Sequence, residues 1–286
     1  LLSNISSKGV YDQLEGGIAR YAIDEKWIIP HFEKMLYDNI QYISLLSKFY
    51  QKTKKDYFKK KLIQTINFIN KEFKNKENLY GSAYDADSEG IEGKYYVWSY
   101  EELKKLLEND FTLFEKKYEI SNTGNFEGKN ILVESKNKLN DEEENKIANL
   151  EDKLIQERKK RIKPFFDDKS QTDLNAFILD TLISSSIVLE DNNLKDEAIS
   201  TLEILNNKLS NKIYHCYETS EIDAFLEDYV YYAMLLVTLY EVNGDESSLQ
   251  KATTIMKEIW ETFYNKDIQL LQKNKIKDND LFVSPN

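Results

Sequence analysis

The chain has 286 residues, 41% of them hydrophobic, which is enough to bury a core; 50 acidic against 39 basic side chains leave a net charge of −11, which opposes nucleic-acid binding. Its one cysteine, Cys216, excludes an internal disulfide and a Cys-x-x-Cys redox centre. No run approaches the ~18 uninterrupted apolar residues of a membrane span and the first residues lack a signal-peptide pattern, so a cytoplasmic protein without a membrane partner is expected, read as an excerpt of a longer chain.

Residues 27–39 are the richest stretch, holding one of only two histidines among several ionisable groups. Pro30 suits the first position of a helix, so the spacing predicts His31 in the first turn, where the positive end of the dipole favours a neutral, proton-accepting imidazole. On that helix His31, Lys34 and Asp38 would share a face, with Glu33 and Tyr37 in the next row and Trp27 close by. Residues 35–50 are apolar around most of the circumference and predict an enclosed helix. Residues 57–73 narrow to a stripe of Phe58, Leu62, Ile66, Ile69 and Phe73, with Lys59, Lys60, Lys61 and Glu72 off it, as on a surface helix.

Between 74 and 170 the pattern breaks into an irregular insertion, with short strands expected at 94–99 and 131–135 and helices near 100–108 and 142–162. Asp85, Asp87, Glu89 and Gly90 imitate the start of an EF-hand, but Tyr96 stands at the twelfth position, where a bidentate Glu is required. A Gly-rich turn pinned by Asx contacts is the alternative. The 142–162 helix is charged and weakly apolar and is expected to lie outside, with 158–163 as a solvated face.

Helical patterning then returns twice. Residues 174–189 are broadly apolar and are followed by a stripe of Leu194, Ala198, Leu202, Leu205 and Leu209. Residues 225–242 are almost continuously apolar, stop at Asn243-Gly244, and are followed by Leu249, Ala252, Met256, Ile259, Trp260 and Phe263. Each pair reads as an αα-hairpin with the enclosed member first, an alternation that helical bundles, solenoids and α/α-toroids share. His215 and Cys216 are neighbours in an extended segment and point to opposite faces, so they make a poor dyad, and His215 is read as structural. Residues 273–286 lose periodicity.

Taken in order, Asp12-Gln13-Leu14-Glu15-Gly16-Gly17 with Arg20-Tyr21, the 30–39 run, Asp85-Ala86-Asp87-Ser88-Glu89-Gly90 with Gly93-Lys94-Tyr95-Tyr96-Val97-Trp98, Gly124-Asn125-Phe126-Glu127-Gly128, Asp167-Asp168-Lys169 and Leu226-Glu227-Asp228-Tyr229 resemble the spermatogenesis-associated thioredoxin-like proteins. That resemblance implies an all-α fold, the α/α-toroid of six-hairpin glycosidases and sugar epimerases. It would form one domain over residues 1–286, incomplete because such a ring needs about twelve helices, with a thioredoxin-like domain upstream as its partner. Two positions depart from the pattern. Glu15 stands where glycine is usual, and Leu174 where many members have tryptophan, which weakens carbohydrate stacking.

Inner helices of a toroid run parallel, so the polar clusters opening them are expected to meet at one mouth: His31, Glu33 and Lys34, then Asp167, Asp168, Lys169, Asp173 and Asn175, then Asp223, Glu227 and Asp228. Paired carboxylates suit glycosidic cleavage, whereas epimerisation needs bases, often histidines, near a sugar carbon. Many carboxylates and few histidines favour a hydrolase-like or sugar-binding pocket. The expected catalytic set is His31, Glu33, Asp168 and Asp228; the expected contacts of a carbohydrate-type or small polar ligand are Arg20, Trp27, Lys34, Tyr37, Asp38, Asp85, Asp87, Trp98, Asn175, Glu227 and Tyr229. Acids at helix starts also cap N–H groups with no ligand involved, and the toroid also suits a non-enzymatic scaffold for the thioredoxin-like domain. Without a nucleotide loop or zinc-like spacing, no metal or cofactor is expected.

Overall fold

A computed structural model describes residues 1–209, 212–216 and 222–275. Two compact units emerge, one of Leu1–Phe73 with Ala83–Asp167 and one of 74–82 with 168 onward. The first contains α1 (Leu2–Ser7), β1 (Tyr21–Ala22), β2 (Pro30–His31), β3 (Lys34–Met35), α2 (Leu36–Thr53), α3 (Asp56–Glu72), β4 (Ala83–Tyr84), β5 (Asp87–Ser88), β6 (Ile91–Glu92), α4 (Tyr100–Leu107), α5 (Phe111–Lys117), α6 (Asp141–Arg158) and β7 (Phe166–Asp167). The second contains α7 (Thr172–Leu189), α8 (Asn192–Lys208), β8 (Tyr214–Cys216), β9 (Ile222–Asp223), α9 (Leu226–Asn243), α10 (Glu246–Phe263), β10 (Tyr264–Asn265) and β11 (Leu270–Leu271).

The three αα-hairpins expected from hydropathy are α2–α3, α7–α8 and α9–α10. Each begins with an 18-residue helix, turns through two residues, and returns in 17 or 18. The turn opens every time on a left-handed residue: Lys54 (φ 53°), Glu190 (φ 58°) and Gly244 (φ 72°). That conformation reverses the chain while the C-cap N–H still bonds back into the helix. In the second unit α7 packs on α8 and α9, and α9 on α10. By length and hydropathy α7 passes for a membrane span, but 56% of it is buried inside the fold, as befits a core helix.

In α3 the predicted stripe is buried, yet Lys61 joins it at 6% exposure, because its ammonium donates to Gln13 Oε1 at 2.8 Å and pairs with Glu134 at 3.0 Å. In α10 the stripe is rotated: Ala252, Ile255, Ile259 and Phe263 are buried, while Met256 and Trp260 are 45% and 53% exposed. Neither expected strand forms. Segment 94–99 keeps one bridge, Trp98 to Asn130, and 131–135 one, Tyr118 to Glu134. In 94–99 the carbonyls of Tyr95 (2.9 Å) and Val97 (2.8 Å) accept from Arg161 Nη1 instead of a ladder, and in 131–135 the backbone bonds are divided among Glu119, Ser7 and Lys117.

Helix α6 lies outside, as expected, and is largely exposed, but it buries one stripe. Ile147, Leu150 and Leu154 sink into a cluster with Trp98, Leu103, Leu107, Phe111 and Phe114, which also accounts for α5, a helix absent from the hydropathy reading. Of 158–163, Lys159, Lys160, Ile162 and Lys163 are exposed as expected, but the two arginines are not. Arg158 is 1% exposed and forks onto Asp12 (3.0 and 2.9 Å) and Glu15 (2.8 Å), while Arg161 lies 3.9 Å over the Trp98 ring. Glu15, the departure from the family pattern, is thus an internal counter-ion that also accepts from Lys71 at 2.9 Å. Of the expected irregular tail, 276–286 lies outside the described residues.

Candidate functional site

The first unit gathers its polar residues on an extended segment. Pro30 opens β2, which pairs antiparallel with β1 in the register Tyr21 to His31 and Ala22 to Pro30. Arg20 N–H adds a bond to Glu33 O at 2.9 Å, and β3 pairs with β4. These partners hold 30–35 straight, so the helix starts at Leu36 and His31 lies outside its first turn; the dipole argument for His31 does not apply. Extended backbone sends alternate side chains to opposite faces. Phe32 and Lys34 go inward at 4% and 2% exposure, while His31 and Glu33 stay on the partly open face.

On that open face Arg20 Nη1 donates to Glu33 Oε2 at 3.0 Å, His31 Nε2 lies 3.7 Å from the same oxygen, and His31 Nδ1 lies 3.0 Å from Glu92 Oε1. A carboxylate accepts, so the Glu92 contact puts the proton of a neutral ring on Nδ1 and leaves the Nε2 lone pair facing Glu33. Glu92 reaches His31 because β5 and β6 form a tight hairpin whose two turn residues, Glu89 (φ 55°) and Gly90 (φ 72°), are both left-handed. The ring of Tyr21, 50% exposed, stacks on His31 at 5.0 Å between centroids.

Asp38 lies in the first turn of α2. Burial pushes its carboxyl up to about 6, with the Glu33 charge adding and the Arg20 cation opposing. Its Oδ2 is buried and has no hydrogen-bond partner among the described residues. Tyr37 hydrogen-bonds Arg20, which with Glu33 raises the guanidinium pKa. Trp27 sits at φ 63° in a loop that Asp24 pins through the Ile28 and Ile29 N–H groups. Asp85 and Asp87 are exposed, and Asp85 accepts from the Ala86 N–H.

Four expected ligand contacts are committed to the interior. Lys34 donates to Asp12 (3.0 Å) and Gly16 O (3.1 Å) and lies over the Phe68 ring. Trp98 is fully buried in the α4–α6 core. Tyr229, 2% exposed, donates to Glu258. Asn175 accepts from Tyr80 N–H at 2.8 Å and donates to Tyr80 O and Gln171 O, both at 2.9 Å. Asn39 makes the matching clamp in α2, accepting from Ile18 N–H and donating to Ile18 O and Met35 O; both asparagines are the fourth residue of their helices.

In the second unit, Asp228 is fully buried and accepts from the N–H groups of Asp173 (3.0 Å) and Phe225 (2.8 Å). Both its oxygens lie 3.1 Å from His215 Nδ1, and that hydrogen bond, against the opposing effect of burial, raises the imidazole pKa. His215 Nε2 meets the Gln171 amide at 2.9 Å. Burial, then the Asp228 charge, raises the carboxyl of Asp173. The partner of His215 is therefore Asp228, and Cys216 is buried. Ligand atoms of Asp173, His215 and Asp228 lie within 4.8 Å of one another, the geometry of a possible cation site, yet Asp228 is already filled by two N–H groups and the imidazole. Glu227 is half-buried, with Oε2 unpartnered among the described residues. Asp168 is exposed, its main-chain oxygen accepting from Asn75.

Sequence reading passed over Tyr21 and Glu92 in the first unit and the His215–Asp228 pairing in the second. The Glu89-Gly90 turn signal was the available clue to Glu92. No local signal ties His215 to a residue thirteen positions on.

In fold the chain resembles cellobiose 2-epimerase from Bacillus thermoamylovorans B4167, at a TM-score of 0.56 and 12% identity over 93% of this chain and 54% of that one. A family 76 glycoside hydrolase from a bovine Bacteroides thetaiotaomicron strain gives 0.54 and 12%, over 94% and 43%. The architecture is thus an all-α, six-hairpin-type α/α-toroid with short β insertions. No family model matches the chain. By sequence it is 26% identical to spermatogenesis-associated protein 20 of Homo sapiens across 88% of its length, and 26% identical to uncharacterized protein B0495.5 of Caenorhabditis elegans across 92%. In sequence the chain is similar to these two relatives, and it spans 38% and 42% of their lengths.

Proposed function

We propose that the first unit binds a small polar ligand of carbohydrate type at Arg20, His31, Glu33 and Asp38, with Asp38 as proton donor and His31 Nε2 as proton carrier. The observation carrying this reading is a half-buried Asp38 carboxyl raised to about 6, one oxygen unpartnered, in the field of the Arg20–Glu33 ion pair. Two carboxyl groups in unlike surroundings are what acid–base chemistry on a glycoside requires. Tyr21 offers a half-exposed ring for a sugar face. The similar folds include proteins described as a sugar epimerase and a glycoside hydrolase, which supports the ligand class.

The test is a panel of mono- and disaccharides and aryl glycosides against the full-length protein, by calorimetry and product analysis. The wild type should bind and turn over at least one class, and Asp38→Asn should retain binding while losing about 10²–10⁴-fold in rate. A panel with no binder, or a rate indifferent to Asp38→Asn, overturns the assignment.

A second reading, a scaffold for a thioredoxin-like domain elsewhere in the full-length protein, is favoured by how many candidate contacts are spent on packing: Lys34, Trp98, Asn175 and Tyr229. It predicts no sugar binding, and His31→Ala weakening the association of that domain in a pull-down.

A further inference from the structure

The second unit holds a groove of about 300 Å³ lined by α8, α9, the turn between α9 and α10, and α10, at the lower end of the size range of small-molecule sites. Leu202, Leu236 and Leu239 supply its apolar lining. Asn206 and Lys251 face the same space and are bridged by Tyr232: Lys251 Nζ donates to the phenol oxygen at 2.5 Å, and the phenol donates to Asn206 Oδ1 at 2.6 Å. Lys251 is the one cation in the lining, and among the described residues no carboxylate pairs with it. The nearest acids of the lining are otherwise engaged or outward. Asp245 caps α10 through the hydroxyls of Ser247 and Ser248, and Glu203 is exposed.

An ammonium beside an apolar surface, without a counter-ion, is the complement of an anion that carries its own apolar body. Inorganic phosphate would match the charge but not the apolar lining, whose leucines show only their edges to the groove, and a neutral sugar would match neither. We propose that this groove binds a small amphipathic carboxylate, its head on Lys251 Nζ and the Asn206 amide and its hydrocarbon body over Leu202, Leu236 and Leu239. The Tyr232 bridge orients both head-group donors before the ligand arrives, which cuts the ordering cost of binding. Lys251 is exposed at the rim of the groove, and partial desolvation lowers its ammonium from the ordinary lysine value, so affinity falls, as pH rises, earlier than for a fully solvated lysine. This groove is distinct from the proposed carbohydrate site, and each stands or falls alone.

The test is titration of the intact protein with octanoate, 1-octanol and inorganic phosphate by calorimetry, on the wild type, Lys251→Arg and Lys251→Gln, with circular dichroism as a check on folding. Octanoate should bind saturably, and Lys251→Gln should weaken it by about tenfold or more, as loss of a charge-assisted hydrogen bond does. Lys251→Arg should spare most of the affinity, and octanol and phosphate should each bind at least about tenfold more weakly than octanoate. Absence of saturable octanoate binding, equal binding by Lys251→Gln, or parity of octanol or phosphate with octanoate overturns the proposal. If Lys251→Gln does not fold, the comparison of the three ligands on the wild type decides.

Discussion

Asp228 shows what a buried carboxylate requires: two backbone N–H groups and the Nδ1 of His215 surround it at 2.8 to 3.1 Å. Because the hydrogen bond to Asp228 raises the imidazole pKa above its ordinary 6.5, folding takes up protons there. The stability this contributes is complete below the unfolded value and disappears as pH rises through the folded one. His215→Gln should therefore cost more stability at about pH 5.5 than at about pH 8.5 in urea unfolding. An equal loss at both would show that folding leaves the imidazole pKa unchanged. Asp38 has the opposite relation to its surroundings. With no partner for Oδ2 among the described residues and a pKa of about 6, its ionised form is the disfavoured one in the fold, which is the observation behind its proposed role as proton donor.

At the level of elements, the repeated hairpin is set by its turn. The three first helices all end on a left-handed residue, but glycine occupies that position only after α9. A Cβ at Gly244 would meet no atom within 4 Å, so the penalty there is conformational alone. Gly244→Ala should destabilise by about 1 kcal/mol, and Glu190→Gly should stabilise by up to about 1 kcal/mol, since a side chain in the left-handed region is strained where glycine is not. Thermal or chemical unfolding measures both, and the two shifts must have opposite sign. A second clamp, present on α2 and α7 but not on α9, is the fourth-residue asparagine that ties each helix start to Ile18 or Tyr80, visible in the sequence only as a polar residue inside an apolar helix.

Over the molecule's first unit as a whole, one buried network joins distant parts of the chain. Arg158, at the end of α6, is held by Asp12 and Glu15 near the amino end, and Lys34 closes on Asp12. Burial alone would raise the Asp12 carboxyl, but the Arg158 and then the Lys34 charges outweigh it and hold the group well below the usual carboxylate range. That contribution is present above the unfolded pKa of 3.8 and is lost as pH falls toward the folded one. Removing the guanidinium leaves two buried carboxylates uncompensated, so Arg158→Ala should cost about 3–5 kcal/mol in denaturant unfolding. A loss below about 1 kcal/mol, the range of surface pairs, would mean that the network is hydrated in solution.

Hydropathy periods by themselves determined the three αα-hairpins, because the burial of a helix face is written every three or four residues along the chain, but not the expected enclosure of each first helix: Leu45, Ile187 and Met234 are exposed on α2, α7 and α9. The motif order likewise led to the toroid class. What only tertiary structure decided is where the polar side chains go. Pro30 and His31 read as a helix start, and pairing with Tyr21–Ala22 made them a strand instead. Arg158 and Lys61 read as surface charges until the carboxylates of Asp12, Glu15 and Glu134 arrive from far along the chain. A local pattern encodes how much apolar surface a segment must hide, but the partner of a charge is a long-range fact, and the free energy of burying that charge depends almost entirely on the partner.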